Sequence, residues 1–170
     1  MGAVSRFVRM KVNKITKPIT IHTEAIQVDS VWEKIKEFAS KNKAEWFVLT
    51  PVNFEYAKYS IGFEGNKKEY EKIILERYRW LQERGQTIQL HVHVRHLPET
   101  VSKKEKEEMI KDGYAWLKSN GFNPTKIVFG WWIHDDVMEL MAKKLGLEVV
   151  GFYDYYFFHD YDFIKNLVRW

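Results

Sequence analysis

The sequence predicts an α/β domain with a mostly parallel βαβα sheet, shaped as a small distorted or incomplete β/α barrel. Segments with strand-like periodicity alternate along the chain with segments of helical spacing. Such alternation implies right-handed crossovers and parallel strands. The chain has 170 residues, which fits one domain with a sizeable core. No linker or internal repeat divides it.

The first half of the chain gives two strands and two helices. Alternating apolar and polar residues predict a strand over Pro18–Ala25. Apolar residues at helical spacing then predict a helix that Asp29 or Ser30 caps. The short apolar run Trp46–Leu49 is typical of a strand buried on both faces. After a loop rich in aromatic residues and glycine, Lys68–Arg84 returns to helical spacing.

The second half repeats the pattern. Strict alternation predicts a third strand over Thr87–Arg95. Ser102 and Glu105 have the spacing of a capping box, which opens a helix that runs to Gly121. The remaining predicted elements are the strand Lys126–Trp132, the helix Asp135–Leu145 and the strand Leu147–Tyr153.

The domain boundaries follow from these elements. Residues 1–17 are an N-terminal extension or a first strand, residues 18–154 form the core, and residues 155–170 close the domain. A helix over Phe163–Trp170 is one interpretation of that closing segment. The chain shows neither a signal-peptide pattern nor a membrane-length apolar run, so a cytoplasmic address is expected and a membrane partner is not.

Composition limits the chemistry. The chain contains no Cys, which excludes disulfides and thiolate-bound metals, so a metal would need imidazole and carboxylate ligands. The net charge is only +4, and lysines are interleaved with glutamates as on a solvated helix, which disfavours a nucleic-acid partner. This Lys- and Glu-rich, Cys-free composition is also typical of thermophilic proteins.

The third predicted strand carries the strongest functional signal. Its polar face consists of Gln89, His91, His93 and Arg95, and His96 follows directly. Burying these side chains together costs several kcal/mol unless they are paired or bound to something. The cluster also lies at the carboxyl end of its strand, where ligand sites of parallel α/β folds gather. A metal held by His91, His93 and His96 is therefore predicted, and the alternative is a hydrogen-bonded histidine network without metal.

A second polar pair lies on the first strand. His22 and Glu24 fall near its carboxyl end, and the ends of neighbouring parallel strands converge on one pocket. Glu24 is therefore a candidate metal ligand, and His22 or Glu24 a candidate general base. The alternative is a structural carboxylate paired with Arg95 and a His22 packed beside it.

The fourth strand ends in aromatic residues. Trp131 and Trp132 are candidates for stacking on a sugar-like substrate, although core packing is the commoner fate of such rings. His134 follows as a candidate acid, ligand or substrate-binding residue, while Asp135 is explained by an N-cap.

With this order of elements, the chain resembles the polysaccharide deacetylase family from about Pro18 to Asp154. ITIHTEAI is similar to the family's first motif strand, AEWFVLTP to its second strand, and ERGQTIQLHVHVRH to the passage that supplies two metal-binding histidines. KIVFGWWIHDDVMELMAKKLGLEVVGFY resembles the strand, aromatic loop and helix that follow. The departures are His22 and Thr23 in place of paired Asp, shifted histidine spacing, and the absence of the family's arginine and of its final Leu-x-His motif.

The resemblance implies a distorted β/α barrel and a divalent metal, commonly zinc. It further implies a hydrolase in which metal-activated water attacks an acyl amide or ester of a carbohydrate, with a carboxylate as base. Arg95, Trp131, Trp132 and His134 would then contact the substrate. The competing hypothesis is a catalytically inactive domain of this fold that binds a carbohydrate or a protein partner, and a nucleic-acid binder is the third.

Overall fold

The structure is a computed structural model that describes residues 19–94, 101–151 and 156–160. The strands are β1 Ile19–Thr23, β2 Glu45–Val48, β3 Thr87–Val92, β4 Lys126–Phe129, β5 Glu148–Val149 and β6 Tyr156–His159. The helices are α1 Asp29–Lys41, α2 Phe54–Tyr59, α3 Lys67–Glu83, α4 Lys103–Ser119 and α5 Asp136–Lys144. The predictions made for residues 1–17, 95, 96 and 161–170 lie outside the described residues.

All six strands form one parallel sheet in the order β5-β4-β3-β2-β1-β6. From β1 to β5, each strand lies beside the one that precedes it in the chain. Right-handed crossovers that always step in the same direction place every helix on the same face, as in a β/α barrel. The order is open, with β5 and β6 at the two edges among the described residues. The predicted incomplete β/α barrel is confirmed.

The two faces of the sheet differ in chemistry. Outer-face residues such as Ile21, Trp46 and Leu90 pack with the apolar residues of the helices in one large core. The opposite face, called the inner face below, carries a small apolar cluster of Phe47, Val128 and Val150 and several polar side chains. The sheet is therefore amphipathic, although both of its faces are buried.

Helix starts follow local capping, with one correction. Ser102 accepts a hydrogen bond from the backbone N–H of Glu105, and Asp135 accepts one from the backbone N–H of Met138, so both predicted N-caps are confirmed. The predicted side-chain cap of α1 is wrong because Val28 occupies that position. Asp29 is the first helical residue instead and accepts a hydrogen bond from Arg77.

Several predicted strands are too long at the carboxyl edge, among them β3 and β4. β3 ends at Val92 rather than Arg95, because its last pairing partner on β4 is Phe129. β4 ends at Phe129 rather than Trp132, because Gly130–Trp132 turns away from the sheet. β3 therefore ends just after His91 and before His93, and β4 ends before Trp131.

Two described elements were not predicted. Tyr156–His159, inside the segment whose structure the sequence left open, adds β6 beside β1 in parallel. Phe54–Tyr59 forms the short helix α2 within the predicted aromatic loop. No helix in the described ranges has the length and apolar character needed to cross a membrane.

Candidate metal centre

The carboxyl edges of β1 and β3 bring together three side chains that could hold a metal ion. His22 is the fourth residue of β1, Glu24 follows that strand directly, and His91 lies near the end of β3. One ligand atom from each side chain lies within 4.8 Å of those of the other two. All three are buried, with 2%, 5% and 0% of their surface exposed.

The approach of the two imidazoles follows from their place on the inner face. β1 and β3 are separated by β2, so a flat sheet would hold them about 9.5 Å apart. The ring centroids of His22 and His91 are only 4.9 Å apart. Side chains converge in this way on the inner surface of a barrel-like sheet. The fold thus concentrates groups that the sequence separates by 69 positions.

Burial keeps both imidazoles neutral. Burial, together with the nearby His159, lowers the pKa of His22 to about 3, and Glu24 opposes this shift. Complete burial and the neighbours His93 and His22 hold the pKa of His91 well below its usual range. At neutral pH both rings therefore have a lone pair that is available to a cation, and no proton has to leave them first.

His91 is unusual because neither of its ring nitrogens has a hydrogen-bond partner among the described residues. The Nε2 atom lies 3.8 Å from Oε1 of Glu24, which is beyond hydrogen-bond distance. A buried polar group without a partner costs about 1–3 kcal/mol. A divalent cation held by His22, Glu24 and His91 would complete the coordination of this ring, so the donor set fits a metal.

Glu24 is held as a carboxylate by two donors. Tyr56 Oη donates a 2.7 Å hydrogen bond to Oε2, and His93 Nε2 lies 2.9 Å from Oε1. Burial raises the pKa of Glu24, but the hydrogen bond and charge of His93 and the hydrogen bond of Tyr56 outweigh it, so the pKa is lowered. The group supplies the negative charge of the site.

The backbone of Glu24 is fixed from the far end of the chain. Asp160, which follows β6, accepts hydrogen bonds from the N–H groups of Glu24 at 3.1 Å and Ala25 at 2.8 Å. His159 precedes it, pairs in register with His22 and places its ring centroid 5.0 Å from that of His22. Neither role was predicted from the sequence. The only available signal was an apolar run that ends in His-Asp, which is typical of a strand end at a site.

His93 is locked in place beside the group. Its ring stacks on Tyr56 with centroids 4.0 Å apart, and its carbonyl accepts a 2.7 Å hydrogen bond from Asn53. Gly130 packs closely against the ring, and a Cβ atom there would come within 2.1 Å of His93 Nδ1. This position therefore needs glycine for lack of space. The structure places His93 against Glu24 as an orienting partner, and the metal-capable group of the described residues does not include it.

The two tryptophans form a strained turn over the imidazoles. Trp131 and Trp132 have φ angles of 51° and 62°, a left-handed conformation that side chains rarely adopt. The ring of Trp131 meets that of His93 edge-on with centroids 4.6 Å apart, and the ring of Trp132 lies 5.0 Å from that of His22. Strain of this kind costs about 1–3 kcal/mol and is often found at functional sites.

Other predicted site residues lie elsewhere. His134 lies before α5 and pairs with Glu139 on that helix at 2.9 Å. Gln89 is buried on the same face as His91, but its Oε1 accepts hydrogen bonds from the backbone of Thr125 and Lys126. Arg95 and His96 fall outside the described residues, so the ligand role of His96 and the pairing of Arg95 stay predictions.

Comparison with solved structures identifies the class of fold. A family 4 carbohydrate esterase from Streptomyces lividans, in complex with acetate, is similar with a TM-score of 0.54 and 10% identity, over 79% of this chain and 60% of its own. A CE4 family pseudoenzyme from Bacillus anthracis gives 0.53 and 11%, over 79% and 43%. The peptidoglycan deacetylase PdaC from Bacillus subtilis gives 0.50 and 17%, over 78% and 56%.

This protein therefore has the fold of the carbohydrate-esterase deacetylases, as the sequence resemblance implied. The chain spans about half the length of these structures. No family model matches the sequence. No curated protein matches it either.

Proposed function

We propose that this protein is a metal-dependent hydrolase that cleaves an acyl amide or ester from a carbohydrate-like substrate. One observation carries the proposal: His22, Glu24 and His91 are buried together, with both ring nitrogens of His91 lacking hydrogen bonds among the described residues. The fold supports it, because similar folds belong to a carbohydrate esterase and a peptidoglycan deacetylase.

His22, His91 and Glu24 would hold the cation. Two neutral imidazoles and one carboxylate suit zinc, which is the proposed ion, and also suit other first-row divalent metals. When bound, such an ion acts as a Lewis acid and lowers the pKa of a water molecule. His93 and Tyr56 keep the Glu24 carboxylate ionised and in place. Burial of the group excludes bulk water and strengthens its electrostatic interactions.

We assign proton transfer to His159, which lies beside the His22–Glu24–His91 group. The low pKa of His22 makes it a better ligand than base at neutral pH, and the same holds for Glu24, whose pKa is lowered. His159 touches His22 and is only half-buried, so it can exchange protons with a substrate group. We assign to it the acid–base role that the sequence analysis gave to His22 or Glu24.

The substrate would contact the aromatic rim. Tyr56, Trp131 and Trp132 are all half-buried beside the imidazoles. Such rings stack on the apolar faces of sugars. Substrate contacts by Arg95 and His134 and a cytoplasmic location remain predictions.

Metal content tests the proposal most directly. The protein, purified without an affinity metal column, is dialysed against Zn²⁺ and analysed by inductively coupled plasma mass spectrometry. We expect about one ion per chain in the wild type and in His134→Ala, whose histidine lies outside the group, and none in His91→Ala. Wild-type protein without stoichiometric metal would exclude the proposal.

Activity is tested on N-acetylated chito-oligosaccharides and on an aryl acetate, by measuring released acetate with and without a chelator. Turnover that the chelator abolishes supports the hydrolase. Turnover that is insensitive to the chelator would place the chemistry elsewhere.

A catalytically inactive, carbohydrate- or protein-binding domain is the second candidate. The observation that favours it is the similarity to a CE4 family pseudoenzyme, together with His22 and Thr23 at the positions of the paired Asp of the deacetylase motif. Thr23 has a structural role, since its hydroxyl donates a hydrogen bond to the carbonyl of Phe47. Stoichiometric metal without acetate release, combined with carbohydrate binding in calorimetry, would favour this candidate.

A further inference from the structure

Tyr56 stands out as a residue that no sequence motif marks. It lies on the short helix α2, outside the sheet. Its hydroxyl nevertheless reaches Oε2 of Glu24 at 2.7 Å, and its ring covers that of His93 with an interplanar angle of 16°. Tyr56 thus contacts both the carboxylate of Glu24 and His93, the other residue that holds this carboxylate.

The two contacts act on opposite oxygens of one carboxylate. Tyr56 occupies Oε2, and His93 occupies Oε1 at 2.9 Å. Two donors at the two ends of a planar group fix its rotation about the bond to the side-chain stem. Each carboxylate oxygen has a second lone pair, which is left free for a cation between Glu24, His22 and His91.

Tyr56 also supports His93 in its contact with the carboxylate. The ring of Tyr56 stacks on that of His93, and Gly130 lies close to the same ring. Tyr56 therefore acts on Glu24 twice, directly through its hydroxyl and indirectly through the ring of His93. Hydrogen bonds to metal-binding carboxylates commonly change metal affinity 10–100-fold.

We propose that Tyr56 is a positioning residue that, with His93, clamps the Glu24 carboxylate in the orientation that binds a divalent cation. The inference rests on the proposed function, because it takes the His22–Glu24–His91 group as the metal site. Tyr56 would then be a determinant of metal affinity. It lies on a helix, whereas the ligands come from the strands and their ends.

The test compares two substitutions of the same kind on one helix. Tyr56→Phe removes the hydroxyl and retains the stacking ring. Tyr59→Phe makes the same change at a position that is 75% exposed and serves as the control. The dissociation constant for Zn²⁺ is measured for both variants and the wild type by competition with a chromophoric chelator. Co²⁺ is then bound in place of Zn²⁺, and its ligand-field spectrum reports the coordination geometry.

We expect Tyr56→Phe to bind Zn²⁺ about 10–100-fold more weakly than the wild type and to shift the Co²⁺ spectrum, while Tyr59→Phe matches the wild type in both. An affinity within twofold of wild type and an unchanged spectrum for Tyr56→Phe would overturn the clamp and leave the proposed function standing. A wild-type protein that binds neither ion would remove the proposed function and the clamp together.

Circular dichroism and the thermal midpoint of the metal-free variants check the fold. If Tyr56→Phe does not fold, His93→Gln is the second variant, since its amide N–H can still donate to Oε1 of Glu24 while the ring on which Tyr56 stacks is lost. Weaker Zn²⁺ binding than wild type in the folded variant supports the clamp, and an unchanged affinity contradicts it.

Discussion

The inner face of the sheet has polar side chains at both ends, part-buried at one end and fully buried at the other, and the two ends differ in their hydrogen bonding. At the amino end, Lys126 Nζ contacts both carboxylate oxygens of Glu45 at 3.0 Å. At the carboxyl end, His91 finds no hydrogen-bond partner among the described residues. The polar groups at the amino end satisfy one another, whereas His91 at the carboxyl end needs a further partner such as a ligand. Burial of polar groups therefore does not by itself identify a functional site, whereas missing hydrogen-bond partners do.

Gln89 and His91 show the same contrast between satisfied and unsatisfied polar groups within one strand. They are two residues apart on the inner face of β3, and both are almost fully buried. Gln89 accepts two backbone hydrogen bonds from the start of β4, which explains its burial without a ligand. Four predictions test this difference, from the largest expected effect to the smallest.

The largest effect is expected for His91→Leu. Removal of one of three ligands should weaken Zn²⁺ binding by on the order of 100-fold or more. The metal-free variant should be at least as stable as the wild type, because leucine leaves no buried polar atom without a partner. Chelator competition measures the affinity, and urea unfolding in a chelator measures the stability. A large loss of metal-free stability would show that His91 has a structural partner.

The pH dependence of stability should reveal the two neutral imidazoles. The folded pKa of His22 is about 3 against an unfolded value of about 6.5. The unfolded chain therefore binds more protons below pH 6.5, and stability falls as the pH drops. The loss from His22 at pH 5 is about 2 kcal/mol, and His91 acts in the same direction.

Glu24 does not contribute in that window. Its folded pKa is lowered, so its contribution is present above its unfolded value near 4.5 and is lost only below it. Urea unfolding of the metal-free protein at pH 7 and pH 5 isolates the histidines. His91→Leu should lose less stability between these pH values than the wild type, and an equal loss in both would contradict the assignment.

Gln89→Leu should destabilise the protein by about 1–2 kcal/mol, because it removes the acceptor of two backbone N–H groups. Metal binding should remain as in the wild type, since the side chain lies outside the metal-capable group. The same urea and chelator measurements apply. If Gln89→Leu lost metal binding but kept its stability, Gln89 would be a ligand rather than a structural residue.

Lys126→Met should have the smallest effect, a loss of about 1 kcal/mol. The substitution leaves Glu45 without its partner, but the two side chains are 17% and 18% exposed, so water screens part of the cost. Metal affinity should again be unchanged. A cost above about 3 kcal/mol would mean that this ion pair behaves as a fully buried one.

Local patterns predicted most of the fold correctly. The period of two over Thr87–Val92 and the helical spacing of the longer helices depend on neighbours in the chain, so they can be read without the tertiary structure. The errors occur where distant contacts decide. β4 stops at Phe129, where Gly130 lies against His93, and no local pattern reveals that contact.

The site was predicted in part for the same reason. Alternation on two strands brought His22, Glu24, His91 and His93 to attention, and the structure gathers all four at one edge. Their division into three metal-capable side chains and one orienting partner depends on side-chain directions, which the spacing does not give. Tyr56 and Asp160 were missed because each reaches Glu24 from a separate element.

The sequence by itself determined that a parallel α/β sheet forms and that one strand of it carries histidines on its polar face, because both properties follow from the period of the side chains. Only the tertiary structure decided which of the polar groups are satisfied. Hydrogen bonds between residues up to 136 positions apart depend on how the sheet curls and on which strand lies beside β1. That arrangement is why Gln89 stabilises the sheet, whereas His91, on the same strand, becomes a candidate ligand.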